Sequence, residues 1–266
     1  MGIAQLLIAN FIFVLACVLG LWLVSLKLRD VTFMDPFWAI GMVLVAAVTM
    51  AGTHGASARQ SALLIVAAAW GLRLGGFLFW RWRHDGPDPR YVRLIEKAQQ
   101  KQGMGFARAA LMKVFLTQAP MLWLVSLPVQ LGQIDTAPEQ LGGLAAVGIL
   151  VAAVGIVFES VGDWQLSRFR ADAANKGKIM DRGLWRYTRH PNYFGDACVW
   201  WGLYLIAAET TTGLYALPGP LLLTWTLIKW SGAATLERRM KRSRPAYEAY
   251  IARTSGFLPW PPKAAP

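Results

Sequence analysis

The sequence predicts an all-helical protein, an integral membrane bundle of seven membrane-spanning helices. Of its 266 residues, 55% are hydrophobic and only 16% are charged, and its mean hydropathy is +0.38. Soluble domains carry about a quarter charged residues. The composition therefore excludes an ordinary soluble protein, and its wealth of apolar residues excludes a disordered one. Its 13 Trp residues suit the membrane–water interfaces, where indole rings concentrate.

Seven apolar segments account for this composition. A helix needs about 20 mostly apolar residues to cross a hydrocarbon layer of ~30 Å. The region from Phe194 to Trp230 is too long for one crossing, and Glu209–Gly213 interrupts it, so we divide it into two short helices. We expect the first segment to remain in the mature chain, because it is too long for a signal peptide and lacks an A-x-A site. The other five segments are Ile3–Leu26, Phe33–Met50, Ala62–Trp80, Leu111–Leu131 and Leu141–Phe158.

The distribution of positive charge predicts the orientation. Residues 27–30, 81–113, 168–189 and 229–263 contain 25 of the 27 Lys and Arg residues, whereas the alternate loops around Asp135 and Glu209 contain none. The other two cations are Arg59, in the second loop, and Arg73, within the third segment. Because cytoplasmic loops carry the excess of Lys and Arg, we expect the N-terminus outside and the C-terminus in the cytoplasm. In a bacterium the membrane would be the inner membrane.

Composition and residue spacing exclude several classes of function. A net charge of +12 often indicates nucleic-acid binding, but here the cations follow the membrane topology instead of forming one basic face. His54, His84 and His190 are scattered and no H-E-x-x-H motif is present, so we expect no metal. Cys17 and Cys198 lie inside apolar segments, which excludes a disulfide scaffold.

The densest polar region extends from the end of the fifth segment into the sixth. Glu159, Asp163 and Arg170 follow a spacing of i, i+4 and i+11, so we expect them on one helix face. Carboxylates at the membrane border are costly, which makes them candidates for function. An ordinary charged face at the interface is the alternative interpretation of such a pair.

The sequence GLWRYTRHPNYFGD surrounds a predicted helix start at Pro191, because proline is favoured just inside the first turn. A helix N-terminus among arginines and aromatic rings suits an anionic ligand with a planar group. His190 alone would fit a structural hydrogen bond equally well. The polar and aromatic side chains of this cluster are Trp185, Arg186, Tyr187, Arg189, His190, Asn192, Tyr193 and Asp196.

This cluster, together with the tail ERRMKRSRPAYEAYIARTSGFLPW, resembles the steroid 5-alpha-reductase family, and most closely its bacterial branch. The same G-L-x-x-Y-x-R-H-P-N-Y-x-G-D pattern is similar to that of the sterol Δ14-reductases. A looser R-H-P-x-Y-x-G pattern belongs to isoprenylcysteine and phospholipid methyltransferases. The resemblance covers about residues 158–260, and the earlier part of the chain matches mainly in the layout of its apolar segments.

The resemblance implies hydride transfer from NADPH to the β-carbon of an α,β-unsaturated ketone, in a steroid or similar flat lipid. No G-x-G-x-x-G follows a strand, so a Rossmann mode of binding is excluded, and the cofactor would arrive from the cytoplasm. For the tail, a basic helix that binds anionic lipid is the alternative. The implied cofactor-binding residues are Glu159, Asp163, Arg170, Tyr187, Asn192 and Asp196, with Trp185, Arg189 and His190 adjacent and Glu237, Arg238, Tyr247 and Tyr250 in the tail.

The resemblance also implies a division of labour within one membrane domain, residues 1–266. Residues 1–110 would form the substrate side and residues 111–266 the cofactor side. We found no repeat and no low-complexity tract that would indicate a second domain, and we expect a monomer whose partners are the lipid substrate and membrane lipid.

Asp35 is the acid that the resemblance places on the substrate side, where the family has a Glu. Its apolar surroundings suit a hydrogen-bond or proton donor to the ketone oxygen, on which negative charge develops. Asp35 followed by Pro36 also fits the start of a helix. The family pairs this acid with a Tyr, but Trp70 stands there, and an indole supplies a hydrogen bond and no proton. Arg73, which we group with Asp35 as catalytic, needs a partner within the membrane, either the cofactor or Asp35.

Two other classes of function stay open. An S-adenosylmethionine-dependent methyltransferase of a lipid or prenyl-cysteine would share the motif, but its sulfonium is a cation, whereas NADPH carries phosphates. Arg170 and Arg189 favour NADPH, and the carboxylates Glu159, Asp163 and Asp196 are compatible with either ligand. A lipid-binding or scaffold protein is the third class, which polar residues at membrane depth argue against.

Overall fold

The computed structural model describes residues 2–230 and 232–263, and over these residues its regular structure is entirely helical. Within the described residues, four helices are long and apolar enough to cross a membrane, namely Ile3–Leu28, Met34–Gly52, Ser57–Asp85 and Gly143–Ala171, labelled below as α1, α2, α3 and α8. In chain order the α-helices are α1 (Ile3–Leu28), α2 (Met34–Gly52), α3 (Ser57–Asp85), α4 (Pro89–Gln102), α5 (Phe106–Ala110), α6 (Leu116–Val125), α7 (Leu127–Leu131), α8 (Gly143–Ala171), α9 (Pro191–Ala207), α10 (Thr211–Leu214), α11 (Pro218–Trp225), α12 (Ala233–Ser243) and α13 (Tyr247–Arg253).

The fourth, sixth and seventh predicted segments are helical but shorter or interrupted. Residues 106–131 contain a π-helical turn at Leu111–Phe115 and Pro120 inside α6. Because proline has no N–H to donate, it disturbs the helix around it. The predicted division at Glu209–Gly213 is confirmed, since α9 ends at Ala207 and α11 begins at Pro218.

The start of α3 corrects one expectation. Arg59, which the sequence places in a loop, lies in the first turns of α3 and is 1% exposed. A buried guanidinium needs several acceptors, and here backbone carbonyls between α7 and α8 provide them. Arg59 therefore ties α3 to that connection and has a structural role. Its acceptors are the carbonyl oxygens of Gly132 (3.0 Å), Pro138 (3.1 Å) and Asp135.

Glycines hold α8 and α9 close together along their length. A Cβ atom added at Gly202 would lie 2.4 Å from the carbonyl oxygen of Gly148, and one added at Gly195 would lie 2.5 Å from that of Gly155. Only glycine permits this approach of two backbones. The same Cβ at Gly195 would lie 2.6 Å from the backbone nitrogen of Glu159. The packing of α8 on α9 thus brings Glu159 next to the residues that follow Gly195.

This packing predicts a large difference between two Gly→Ala variants. Gly202→Ala should lower the free energy of unfolding by about 1–3 kcal/mol, because the new methyl group overlaps the backbone of α8. Gly20→Ala is the matched control, since a Cβ there has nothing within 4 Å. Alanine also favours a helix over glycine, so the control should be neutral or stabilising. SDS-titrated unfolding in detergent measures both; equal stability of the two variants would contradict the packing.

Candidate functional site

Arg73 of α3 lies at the centre of a buried charged cluster. Its Nη1 is 2.9 Å from Oδ2 of Asp163, and its Nη2 contacts Oε2 of Glu159. The two carboxylates are one turn apart on α8, as the i, i+4 spacing predicts, so one guanidinium reaches both. Among the expected partners of Arg73 were the cofactor and Asp35. The structure instead gives it two carboxylates from the predicted cofactor face, whereas Asp35 has a different partner.

Trp70 also belongs to this cluster. Its side chain is fully buried, and its Nε1 donates a hydrogen bond to Oε2 of Glu159 at 3.0 Å. The indole ring meets Trp200 of α9 edge to face, with 5.4 Å between the ring centroids. Because indole has one donor only, Trp70 orients Glu159 and has no second N–H to offer a ligand.

Four buried polar atoms at the same place have no hydrogen-bond partner within the described residues. Two belong to Arg73, namely Nε and Nη2, of which Nη2 is ion-paired with Glu159. The other two are Oδ1 of Asp196 and Nε1 of Trp200, one turn apart on α9. Buried polar groups are nearly always satisfied, so an unpaired acceptor one turn from an unpaired donor makes these residues candidates for a ligand that pairs with both. Trp200 was absent from the predicted site; its place one turn after Asp196 is the signal that could have identified it.

Carboxyl groups outnumber guanidinium groups in the cluster. Asp196 acts electrostatically on Glu159, and the side chain of Asn192 contacts Asp163. Three carboxylates therefore surround one guanidinium, that of Arg73. The motif residues Asn192 and Asp196 and the helix-face residues Glu159 and Asp163 are thus brought together, as the sequence predicts.

Asp35 lies in a second cluster, which the sequence did not identify. It stands in the first turn of α2, where its Oδ2 is 2.9 Å from Nη2 of Arg90 and its Oδ1 accepts the hydroxyl of Tyr91. The amide of Gln118 donates to the same hydroxyl oxygen at 3.3 Å. Burial, together with the carboxylate of Asp35, raises the pKa of Tyr91, so the phenol keeps its proton at neutral pH.

The start of α4 explains how Arg90 and Tyr91 reach Asp35. Asp88 caps the helix by accepting the backbone N–H of Arg90 at 2.7 Å, and Pro89 occupies the first helical position. Although burial alone would raise it, hydrogen bonds and charge from Arg90 lower the pKa of Asp88. The Asp-Pro pair is a helix-start signal in the sequence and could have placed this helix.

Tyr193 connects the two clusters. The charges that act on its phenol include those of Arg90, Arg81, Asp35 and Asp163. Its ring also stacks on His190, with 5.3 Å between centroids and 6° between planes. Charged residues of the Arg73 cluster and of the Asp35 cluster therefore both act on the phenol of Tyr193 on α9.

Several arginines lie near the C-terminal end of α8, beyond the carboxylate cluster. Arg81 of α3 and Arg244 lie close enough to act electrostatically on Arg170, which is exposed at the end of α8. Arg244 also donates to the carbonyl oxygen of Lys178 at 2.5 Å, beside a cavity of about 580 Å³ between loop 177–181 and residues 243–253 of the tail. This surface suits anionic groups.

The tail is fastened to the GLWRYTRHP segment by side chains that the resemblance assigns to the cofactor. Oε1 of Glu237 accepts from Nε of Arg189 at 2.8 Å and lies 2.9 Å from Nε2 of His190. The hydroxyl of Tyr250 donates to the carbonyl oxygen of Trp185. These are contacts within the protein, between side chains at Glu237 and from a side chain to the backbone at Tyr250. Of the remaining predicted residues, Tyr247 is buried against Tyr250, and Tyr187 and Arg238 are exposed.

The Glu237 contacts predict a pH dependence of tail docking. Although burial alone would raise it, hydrogen bonds and charge from His190 and Arg189 lower the pKa of Glu237 from its ordinary 4.5 to about 2. A lowered pKa stabilises docking fully above pH 4.5, and the stabilisation, about 2–3 kcal/mol, is lost as the pH falls towards 2. Glu237→Gln should lose it already at neutral pH.

Pepsin cleavage of the tail near pH 3 and hydrogen exchange at neutral pH measure this difference. The wild-type protein should lose protection of residues 247–257 on acidification, while Glu237→Gln should show weak protection throughout. Glu248→Gln, which changes an exposed carboxylate of α13, is the matched control. If Glu237→Gln kept wild-type protection at neutral pH, the carboxylate would not hold the tail.

Comparison of the sequence with known proteins assigns the chain to a family. The sequence profile of the family described as "Protein of unknown function (DUF1295)" matches residues 21–254. An uncharacterized protein of Schizosaccharomyces pombe is 28% identical over 101 residues, which cover 35% of this chain and 27%, about a quarter, of the yeast protein. No solved structure matches the chain. Because the profile spans most of its length, the chain belongs to the DUF1295 family.

Proposed function

We propose that the protein is a membrane-embedded, NADPH-dependent reductase of a C=C bond conjugated to a ketone. Its substrate class would be a steroid or similar flat lipid, as in the steroid 5-alpha-reductases, which convert a 3-oxo-Δ4-steroid to the 5α-3-oxosteroid. The observation that carries the proposal is the pair of unpartnered atoms, Asp196 Oδ1 and Trp200 Nε1, beside the Arg73 cluster. The resemblance of the GLWRYTRHPNYFGD motif and of the tail supports the same class.

The unpartnered pair is complementary to a carboxamide. The carboxylate oxygen of Asp196 can accept from the amide NH₂, and the indole N–H of Trp200 can donate to the amide oxygen. A carboxamide is the polar group of nicotinamide. The nearby Glu159 and Asp163 are suitable acceptors for ribose hydroxyls, and their side chains are held in place by Arg73 and Trp70.

The arginines around the C-terminal end of α8 suit the phosphates of the same cofactor. Asp163 and Arg170 are seven residues apart, which is about 10 Å along a helix. Guanidinium groups bind phosphate through paired N–H donors, and Arg81 and Arg244 join Arg170 there. In NADPH the phosphates follow the nicotinamide and its ribose. Along α8 the arginines likewise follow the carboxylates, so each part of the ligand would meet side chains of suitable charge.

The residues around Asp35 would serve the proton side of the reaction. NADPH supplies a hydride to the β-carbon of the enone, and the net addition needs one proton at the α-carbon. Asp35, fixed by Arg90, accepts the one hydroxyl hydrogen of Tyr91, so the phenol would turn this hydrogen from Asp35 to the ketone oxygen as negative charge develops there. The Asp35–Tyr91 pair would thus take over the role of the family's Tyr, whose position Trp70 occupies in this chain.

We also propose the complete topology, with seven spans, the N-terminus outside and the C-terminus in the cytoplasm. The four long helices and the shorter segments 106–131, 191–207 and 218–230 would each cross the membrane. The excess of Lys and Arg in alternate loops supports this orientation. The arginines near Arg170 would then face the cytoplasm, and in a bacterium the protein would lie in the inner membrane.

A methyltransferase that uses S-adenosylmethionine is the second candidate. The surplus of carboxylates around Arg73 favours it, because a sulfonium cation would be stabilised there. The arginines Arg81, Arg170 and Arg244 favour NADPH, because S-adenosylmethionine has one carboxylate and no phosphate. Direct binding of the two cofactors separates the candidates.

Binding to the purified protein in detergent tests the proposed cofactor. NADPH should bind more tightly than NADH and S-adenosylmethionine, and Asp196→Leu and Asn192→Ala should each weaken its affinity by roughly tenfold or more, because each removes a hydrogen-bonding group of the cluster. Glu96→Gln, which changes an exposed carboxylate of α4, should have wild-type affinity. Binding of S-adenosylmethionine alone would contradict the reductase and support the methyltransferase.

Turnover tests the role of the Asp35 cluster. NADPH oxidation with a 3-keto-4-ene steroid should fall by roughly 10²–10⁴-fold in Asp35→Asn and in Tyr91→Phe, the range expected for loss of a general acid. NADPH affinity should stay close to wild type in both variants, since neither residue belongs to the Arg73 cluster. Wild-type turnover in Asp35→Asn would remove this carboxylate from the reaction.

A further inference from the structure

Two large apolar side chains protrude from the end of the tail. Leu258 is 64% exposed and Trp260 is 70% exposed, and neighbouring Tyr187 is exposed as well. A Leu and a Trp presented together to water would be unfavourable, and such exposed apolar groups commonly mark a contact surface.

The backbone that carries these side chains is held firmly. The N–H of Trp260 donates to the carbonyl oxygen of Tyr187 at 3.0 Å, and Thr188 Oγ1 donates to that of Phe257 at 2.8 Å. A third hydrogen bond joins the same two segments, since the N–H of Arg189 donates to the carbonyl oxygen of Ser255 at 2.9 Å. Prolines on both sides of Trp260 restrict the chain further. The exposure of the two side chains is therefore a property of an ordered loop.

Aromatic contacts place this loop at the outer surface of α8 and α9. The ring of Phe257 packs edge to face on Phe194 of α9 at 6.1 Å between centroids, and Phe194 packs on Phe158 of α8 at 5.3 Å. Next to Phe158, Val157 is 60% exposed and continues an outward apolar stripe on α8. Because α8 is one of the helices that can cross a membrane, this stripe faces lipid.

The same helix marks the level of the membrane surface. Trp164 of α8 is exposed, and Arg168 lies over its ring at 5.4 Å. Trp and Arg side chains concentrate at the membrane–water interface, with the ring in the headgroup layer. Phe158 lies six residues before Trp164, about 9 Å along the helix. Phe257 reaches this level through Phe194, so its loop lies at or just inside this boundary.

We propose that residues 256–262 form a membrane-interface anchor that inserts Leu258 and Trp260 into the headgroup layer beside α8. The partner is the lipid bilayer itself, because the patch continues the lipid-facing surface of α8. Two side chains offer roughly 300–400 Å², well below the ~800 Å² per partner of a stable protein–protein interface. The anchor holds the tail from the membrane side, while Glu237 and Tyr250 hold it from the protein side.

A fluorescent probe at residue 260 tests the anchor. The full chain, with Cys17 and Cys198 replaced by Ala, carries either Trp260→Cys or Lys176→Cys labelled with an environment-sensitive dye, in vesicles of phosphatidylcholine and phosphatidylglycerol. Lys176 is exposed in the loop after α8 and is the control. We expect blue-shifted emission at residue 260, quenched by lipids with a spin label near the headgroup, and water-like emission at residue 176. Water-like, unquenched emission at both positions would overturn the proposal.

Charged variants give an independent readout that does not need a label. Leu258→Asp combined with Trp260→Asp should increase the rate of tryptic cleavage in the tail of vesicle-bound protein roughly tenfold, since about 1.4 kcal/mol of docking free energy corresponds to that factor. Val92→Asp, at an exposed apolar residue of α4, is the matched control for misfolding and should leave the rate unchanged. Equal rates in the double variant and the wild type would contradict the anchor.

Discussion

The structure depends on one guanidinium that two carboxylates share inside an apolar bundle. Arg73 joins α3 to Glu159 and Asp163 of α8, and Trp70 supports it by donating to Glu159. Charges of this kind are expensive to remove from water, and loss of one partner typically costs about 3–5 kcal/mol. The cluster therefore fixes which faces of α3 and α8 meet. It also leaves a third carboxylate, Asp196, without a cation of its own.

The close packing of α8 on α9 gives this ion cluster its geometry. Gly148 and Gly155 meet Gly202 and Gly195, which places the backbone of Glu159 directly against α9. That approach brings Asp196 and Trp200 to the cluster with one acceptor and one donor unpaired. The glycines are thus as necessary to the proposed binding site as the charged residues that line it.

Local patterns predicted a large part of this arrangement. The shared face of Glu159 and Asp163 and the helix start at Pro191 follow from the spacing of neighbouring residues, which fixes helical geometry. The partners of the buried charges could not be predicted in the same way. Arg73 meets Asp163 across 90 residues, and Asp35 meets Arg90 across 55, so these contacts depend on how whole helices pack. The tail residues Glu237 and Tyr250 show the same limit, because a motif match cannot distinguish a ligand contact from a contact within the protein.

A neutral replacement of the ion cluster tests most directly whether it exists for ligand binding. The triple variant Arg73→Met, Glu159→Gln, Asp163→Asn has side chains of similar volume and removes all three charges together, so it avoids the costly case of a buried charge left without its partner. We predict that the free energy of unfolding of this variant is higher than that of the wild type or within about 1 kcal/mol of it, and that NADPH binding is lost. A triple variant that still binds NADPH with wild-type affinity would show that the cluster only holds α3 and α8 together, and would contradict the account.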